Sequence, residues 1–95
     1  MFAVIRHYHF DKKDSAEIDR LVRDEFVPLV KKARGFRRYY WLDTGEGEGA
    51  SFGVFKDKAG ADESVRLAAD FVRTNMAKYL REKPEVIEGP ITAHD

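Results

Sequence analysis

Arginines stand among aromatic rings in two short alternating stretches, MFAVIRHYHF at residues 1–10 and GFRRYYWLD at residues 35–43. A guanidinium and aromatic rings can contact a ligand through charge, hydrogen bonds and stacking. Arg6, Tyr8, Arg38 and Tyr40 are therefore candidates to contact one. Phe55 joins them as an apolar ring on the same expected face, and Trp41 contributes only if its register turns it inward. Each has a plainer reading. Arg6 equally suits an inter-subunit ion pair, because buried arginines are normally partnered, and the rings suit core or dimer packing.

The histidines offer a second chemistry. His7 and His9 form an H-x-H pair whose spacing lets two imidazoles converge on a metal, and His94 follows the last strand. Nothing in the sequence brings that last strand beside them, and alternate histidines are common on solvated strand ends, so no metal is expected. His9, at a strand terminus, is the better single general base. GEGEG at residues 45–49 lacks the spacing of a phosphate loop, carries two glutamates and lies between strands, so it is a turn. Ser51 and Ser64 have no nucleophile elbow around them. Arg66 and Arg73, near Asp62 and Asp70, form solvated pairs.

Composition narrows the field. The 17 basic and 17 acidic residues cancel, which removes the field that draws proteins onto nucleic acid or anionic membranes. Cysteine is absent, so disulfides, thiolate nucleophiles and Cys-based metal sites are excluded. No run of about 20 apolar residues occurs, and the opening residues are too interrupted by Arg6, His7 and His9 for a secretory segment. The 95 residues fit one domain, expected to be soluble and cytoplasmic.

Apolar periodicity places the elements that carry these residues. Residues 2–10 alternate as a strand, and Asp14 followed by Glu17 resembles a capping box opening a helix through Ile18, Leu21, Val22, Phe26, Leu29 and Val30. Pro28 should kink or loosen its last turn. Residues 36–43 and 50–56 are strands around the glycine turn; a second helix steps through Ala61, Val65, Ala68, Val72, Met76 and Tyr79 until Pro84. A weak strand spans 85–93. The order β-α-β-β-α-β is the split, ferredoxin-like α+β arrangement, with both helices on one face of an antiparallel sheet.

Both strand faces read apolar. Ala3 and Ile5, with Phe52 and Val54, suit the helix side, leaving Phe2, Val4, Arg6, Tyr8, Phe10, Ser51, Gly53 and Phe55 for the open side. For the strand at 36–43 the set Phe36, Arg38, Tyr40 and Leu42 is favoured to join them, since Gly53 leaves room for a neighbouring ring; Arg37, Tyr39, Trp41 and Asp43 form the other set. Such an aromatic open face approaches the roughly 300–600 Å² limit for a monomer's largest apolar patch, and a homodimer covering it by two-fold symmetry is expected.

The stretches FVPLVKKARGFRRYY, GVFKDKAGADES and EVIEGP carry a resemblance spanning nearly the whole chain: it looks like the dimeric α+β barrel group, and more narrowly an uncharacterised branch of the antibiotic-biosynthesis monooxygenase (ABM) type of domain. The resemblance implies a homodimeric barrel with a pocket for a small aromatic or quinol, oxidised with O₂ and no cofactor, in which Arg6 or Arg38 would stabilise the substrate anion and Tyr8 and Tyr40 would stack on it or hydrogen-bond to it. A non-enzymatic ligand-binding or structural dimer is the alternative. Haem-degrading members are similar in placing a polar residue where Arg6 stands and a tryptophan where Phe55 stands, but they ligate iron with a histidine of the second helix. Residues 61–80, ADESVRLAADFVRTNMAKYL, contain none.

Overall fold

The computed structural model describes residues 1–95. Strand β1 (Phe2–His9) is followed by helix α1 (residues 15–30), then by the hairpin of β2 (Phe36–Asp43) and β3 (Glu48–Phe55). Helix α2 (residues 58–76) and strand β4 (Glu85–Pro90) complete the chain. The sheet order is β2-β3-β1-β4, every neighbouring pair antiparallel. This is the expected ferredoxin-like α+β order. No helix is long and apolar enough to cross a membrane.

Local chemistry sets the element ends. The expected capping box does not form: Asp14 makes no side-chain cap, Asp11 instead accepts from the Lys13 amide at 3.0 Å, and Glu17 is occupied by Arg20. Pro28 does not end α1. The turn at Leu21–Phe26 is a π turn, and helix continues through Val27–Val30 with Lys31 N donating to Val27 O at 3.1 Å. A widened turn ahead of Pro28 takes up the mismatch that proline's missing donor creates. Asp57 caps α2 by accepting from Gly60 N. Between β2 and β3, Gly45 and Gly47 adopt φ of 84° and 88°, the left-handed conformation such a turn needs.

The faces of the sheet are the reverse of the expected ones. Val4, Tyr8 and Phe10, with Arg6, are buried against the helices in one core with Ile18, Val22, Phe26, Val30, Ala61, Ala68 and Phe71. Ser51, Gly53 and Phe55 share that side through the β1–β3 register. Ile5 and Phe52 point to the open face instead. The expectation that small residues of β1 would meet the helices fails because β3 supplies the small residues: Gly49, Ser51 and Gly53 stand in line beneath the larger rings.

Strand β2 carries a bulge between Phe36 and Arg38 that resets its phase. Phe36 pairs with Phe55 on the helix side, their rings 6.1 Å apart, and Tyr39, Trp41 and Asp43 stay on that side. Arg38, Tyr40 and Leu42 face outward. Gly53 is covered by the Phe55 ring, 3.0 Å from where a Cβ would stand, and on the neighbouring strand by Tyr39 at 3.7 Å, not by Tyr40. Gly49 is under stricter demand, since a Cβ there would sit 2.5 Å from Trp41 Cη2. Gly49→Ala should cost about 1–3 kcal/mol through overpacking. It should also red-shift the emission of Trp41, the only tryptophan, in a denaturation followed by fluorescence.

Candidate functional site

Arg6 is 7% exposed, in the middle of the central strand and facing the helices. Its Nε donates to the Tyr8 hydroxyl at 2.9 Å, and its guanidinium carbon lies 5.7 Å from the Tyr8 ring centre. No carboxylate lies within ion-pair distance of it. A buried charge held without a counter-charge is expensive, and such a group is a ready partner for an incoming anion.

The surroundings are mixed in polarity. Arg6, Tyr39, Ser51 and Ser64 supply the polar walls of a pocket between sheet and helices, and Val4, Phe26, Val30, Phe55 and Ala68 the apolar ones. The space between these walls is about 10 Å³, room for a single water. Phe26 lines it from the π turn of α1, packed 5.5 Å from the Tyr39 ring and 5.2 Å from Phe71. Burial raises the Tyr8 phenol above its ordinary value of 10, against the pull of the Arg6 charge and hydrogen bond. Burial raises Tyr39 further, helped by Tyr8 and opposed by Ser51 and Arg6. Both tyrosines therefore keep their protons at neutral pH and are not bases; the Tyr8 hydroxyl accepts from Arg6 and still has its O–H to donate.

The Tyr8 ring beside Arg6 is braced through Trp41 by an acid pair. Trp41 packs edge-on against Tyr8 at 5.3 Å and donates its indole N–H to Asp19 Oδ1 at 2.9 Å. Burial raises the Asp19 carboxyl above its ordinary 3.8; the Trp41 bond and the Arg23 charge lower it, while the neighbouring Asp43 raises it. Asp43 holds a buried oxygen, Oδ2, with no hydrogen-bond partner, and its carboxylate is one of the groups that raise Asp19.

Of the residues singled out in the sequence, the structure brings Arg6, Tyr8 and Phe55 together on the helix side. Arg38 and Tyr40 lie on the opposite face of the sheet and cannot reach them. The residues that sequence reasoning missed are Tyr39, Ser51, Ser64 and Phe26. A signal existed for one of them: Ser51 lies two residues from Gly49 and from Gly53, which marks a strand face kept small for neighbouring rings. His7 and His9 lie on the open face, where the Glu48 hydrogen bond raises His7 above its ordinary 6.5. His94 is remote from both and donates to the Asp95 carbonyl. A depression of about 790 Å³ is an open and mostly charged groove lined by His9, Asp11, Lys12, Glu48, Arg81 and Glu82 among others, and it offers an aromatic ring little apolar surface.

Solved structures share this arrangement. A protein of unknown function from Nitrosomonas europaea superposes with a TM-score of 0.83 at 20% identity, over 99% of this chain and 91% of that one. The monooxygenase from the ActVA-Orf6 gene of Streptomyces coelicolor, solved with Nanaomycin D, gives 0.76 at 11% identity over 98% and 89%. A dimeric ferredoxin-like protein from an uncultured marine organism gives 0.71 at 11% identity over 100% and 98%. The chain shares its fold with these proteins and with two described as putative antibiotic biosynthesis monooxygenases. No family model and no curated protein matches the sequence itself. Within this fold, the Arg6 pocket occupies the layer between sheet and helices.

The acid pair makes stability depend on pH in a definite direction. Because the folded state binds the Asp19 proton more tightly than the unfolded chain does, this carboxyl favours folding below its ordinary 3.8. That contribution is lost as pH rises through the raised value. Asp19→Asn keeps an acceptor for Trp41 and removes the repulsion with Asp43. It should be at least as stable as the parent at pH 7, with a flatter dependence of urea midpoint on pH above about 4.

Proposed function

We propose that this chain is a homodimeric, cofactor-independent monooxygenase-like protein that binds the anion of a small aromatic or quinol at Arg6. The observation that carries the reading is the buried guanidinium with a tyrosine and no carboxylate beside it. A phenolate or enolate oxygen would take the place of the missing counter-charge, with Tyr8 and Tyr39 as further donors. Stabilising the anion lowers the substrate's own pKa, which matters because neither tyrosine can serve as base. The anion passes an electron to O₂, and the resulting radical and superoxide recombine at a ring carbon as a peroxide. After protonation of the peroxide, the O–O bond breaks and the C–H proton is lost, releasing water and leaving one oxygen on the ring as a carbonyl. The lining must move to admit a ring, since the space holds only a water. The Streptomyces neighbour, solved with Nanaomycin D, supports a ring-shaped ligand in this fold.

The open face supports the dimer. Register sets Ile87, Ile5, Phe52 and Tyr40 in one row across all four strands, at 69%, 38%, 39% and 58% exposure. Val54, Ala3 and Leu42 extend it. An uninterrupted apolar row on a sheet face is poorly tolerated in water, and a two-fold copy buries it against itself. The marine neighbour is itself described as dimeric. In this reading Arg38 and Tyr40 belong to the subunit interface and not to the ligand pocket.

Oxygen uptake with a panel of hydroquinones and anthrone-type phenols tests the activity. We expect turnover by the parent and loss of both turnover and ligand-induced thermal shift in Arg6→Met/Tyr8→Phe. Removing both polar partners leaves no orphan, so that double variant should melt no lower than the parent without ligand; a fall of many degrees would make Arg6 structural. If no phenol is turned over but anions raise the melting point of the parent alone, a non-enzymatic binding protein is the better reading. For the dimer, Phe52→Glu should sediment as a folded monomer at micromolar concentration where the parent sediments as a dimer.

A further inference from the structure

His7 and His9 leave β1 on the open face, their rings 4.4 Å apart between centres. Register brings a carboxylate from each flanking strand, Glu48 of β3 opposite His9 and Glu85 of β4 opposite His7. His7 Nε2 is 2.9 Å from Glu48 Oε2, and His7 Nδ1 is 3.2 Å from Glu85 Oε1. His9 Nε2 has Glu82 Oε1 at 3.6 Å and Glu85 Oε1 at 3.9 Å. One ligand atom from each of His7, His9 and Glu48 lies within 4.8 Å of the other two. No lysine or arginine pairs with Glu48, Glu82 or Glu85. Three carboxylates thus share two imidazoles, and with neutral rings the cluster carries a surplus of negative charge.

We propose that His7, His9 and Glu48 form a binding site for one divalent transition-metal ion of the zinc class, with Glu85 orienting His7 from behind. Two imidazoles and a carboxylate suit zinc, nickel, cobalt or iron, whereas magnesium and calcium prefer all-oxygen shells. His7 already meets a carboxylate at each ring nitrogen. When Nε2 binds the ion, Nδ1–H donates to Glu85, the carboxylate–histidine–metal relay that fixes tautomer and ring orientation. Zinc bonds of about 2.0–2.1 Å set tetrahedral ligand atoms about 3.3 Å apart, so modest side-chain rotation closes the site. The groove lined by His9, Glu48 and Glu82 leaves an outward position for water. The ion would clamp β1 to β3 on the face of the sheet opposite Arg6, so this site stands independently of the pocket.

The test uses the tag-free, chelator-treated full chain, titrated with ZnCl₂ by calorimetry, with CoCl₂ followed by visible absorption and MgCl₂ as comparison. We expect one zinc per chain, a rise in melting temperature, a visible cobalt band and no response to magnesium. His9→Ala and Glu48→Gln should each weaken zinc more than tenfold. Glu85→Gln should weaken it about tenfold while keeping one ion per chain. His94→Ala should change nothing. All four side chains lie at the surface, and circular dichroism of each variant checks that it folds; Glu48→Gln, nearly isosteric, carries the test if His9→Ala does not. Absence of saturable zinc binding, half an ion per chain, an equal response to magnesium, or undiminished affinity in Glu48→Gln would each overturn the proposal.

Discussion

The molecule is organised around a guanidinium placed where a side chain of its kind is costly to keep. Arg6 occupies the central strand of the sheet, under both helices, with a tyrosine as its partner and no acid. Room for it comes from β3, whose helix face is built of Gly49, Ser51 and Gly53. Those small residues leave room for Trp41 over Gly49 and for Phe55 and Tyr39 over Gly53. A larger residue at either glycine would run into these rings. The position is tenable because Tyr8 is held by Trp41 and Trp41 by Asp19, a chain of contacts reaching from the buried charge to the surface of α1.

The same sheet divides two kinds of chemistry. The helix side holds a small, partly polar pocket lined in part by Phe26 from a π turn; α2 carries a second π turn at Val72–Met76. Widened turns break the regular ladder and often accompany sites where a helix must present a side chain that ideal geometry would not. The open side holds an apolar row and, beyond it, a cluster of histidines and glutamates. Because side chains alternate, Arg6 and His7 are adjacent in sequence yet belong to opposite worlds: one desolvated, one at the water boundary.

Much of the fold was legible from pattern. Strand and helix periods, the glycine turn and the order β-α-β-β-α-β are local properties, written in spacing and in residues such as Gly45, Gly47 and Asp57. Arg6, Tyr8 and Phe55 were also recognisable as a group, since they share a phase on strands that the topology makes neighbours. Which phase faces the helices was not legible. Both faces of β1 and β3 are apolar enough to be buried, so period alone carries no sign.

By itself, then, the sequence determined the elements, their order and the companionship of Arg6 with aromatic rings, because those follow from short-range spacing. Only the tertiary structure decided the rest. The bulge before Arg38 moved Phe36 to the helix side and left Arg38 and Tyr40 outside, a one-residue shift that no periodicity records. Strand register put Glu48 and Glu85 against His7 and His9, residues about 40 and 80 positions apart in the chain. The physical reason is the same in both cases: a side chain's face and partners depend on pairing with a distant strand, and that pairing is settled by packing the whole core, not by the residues on either side.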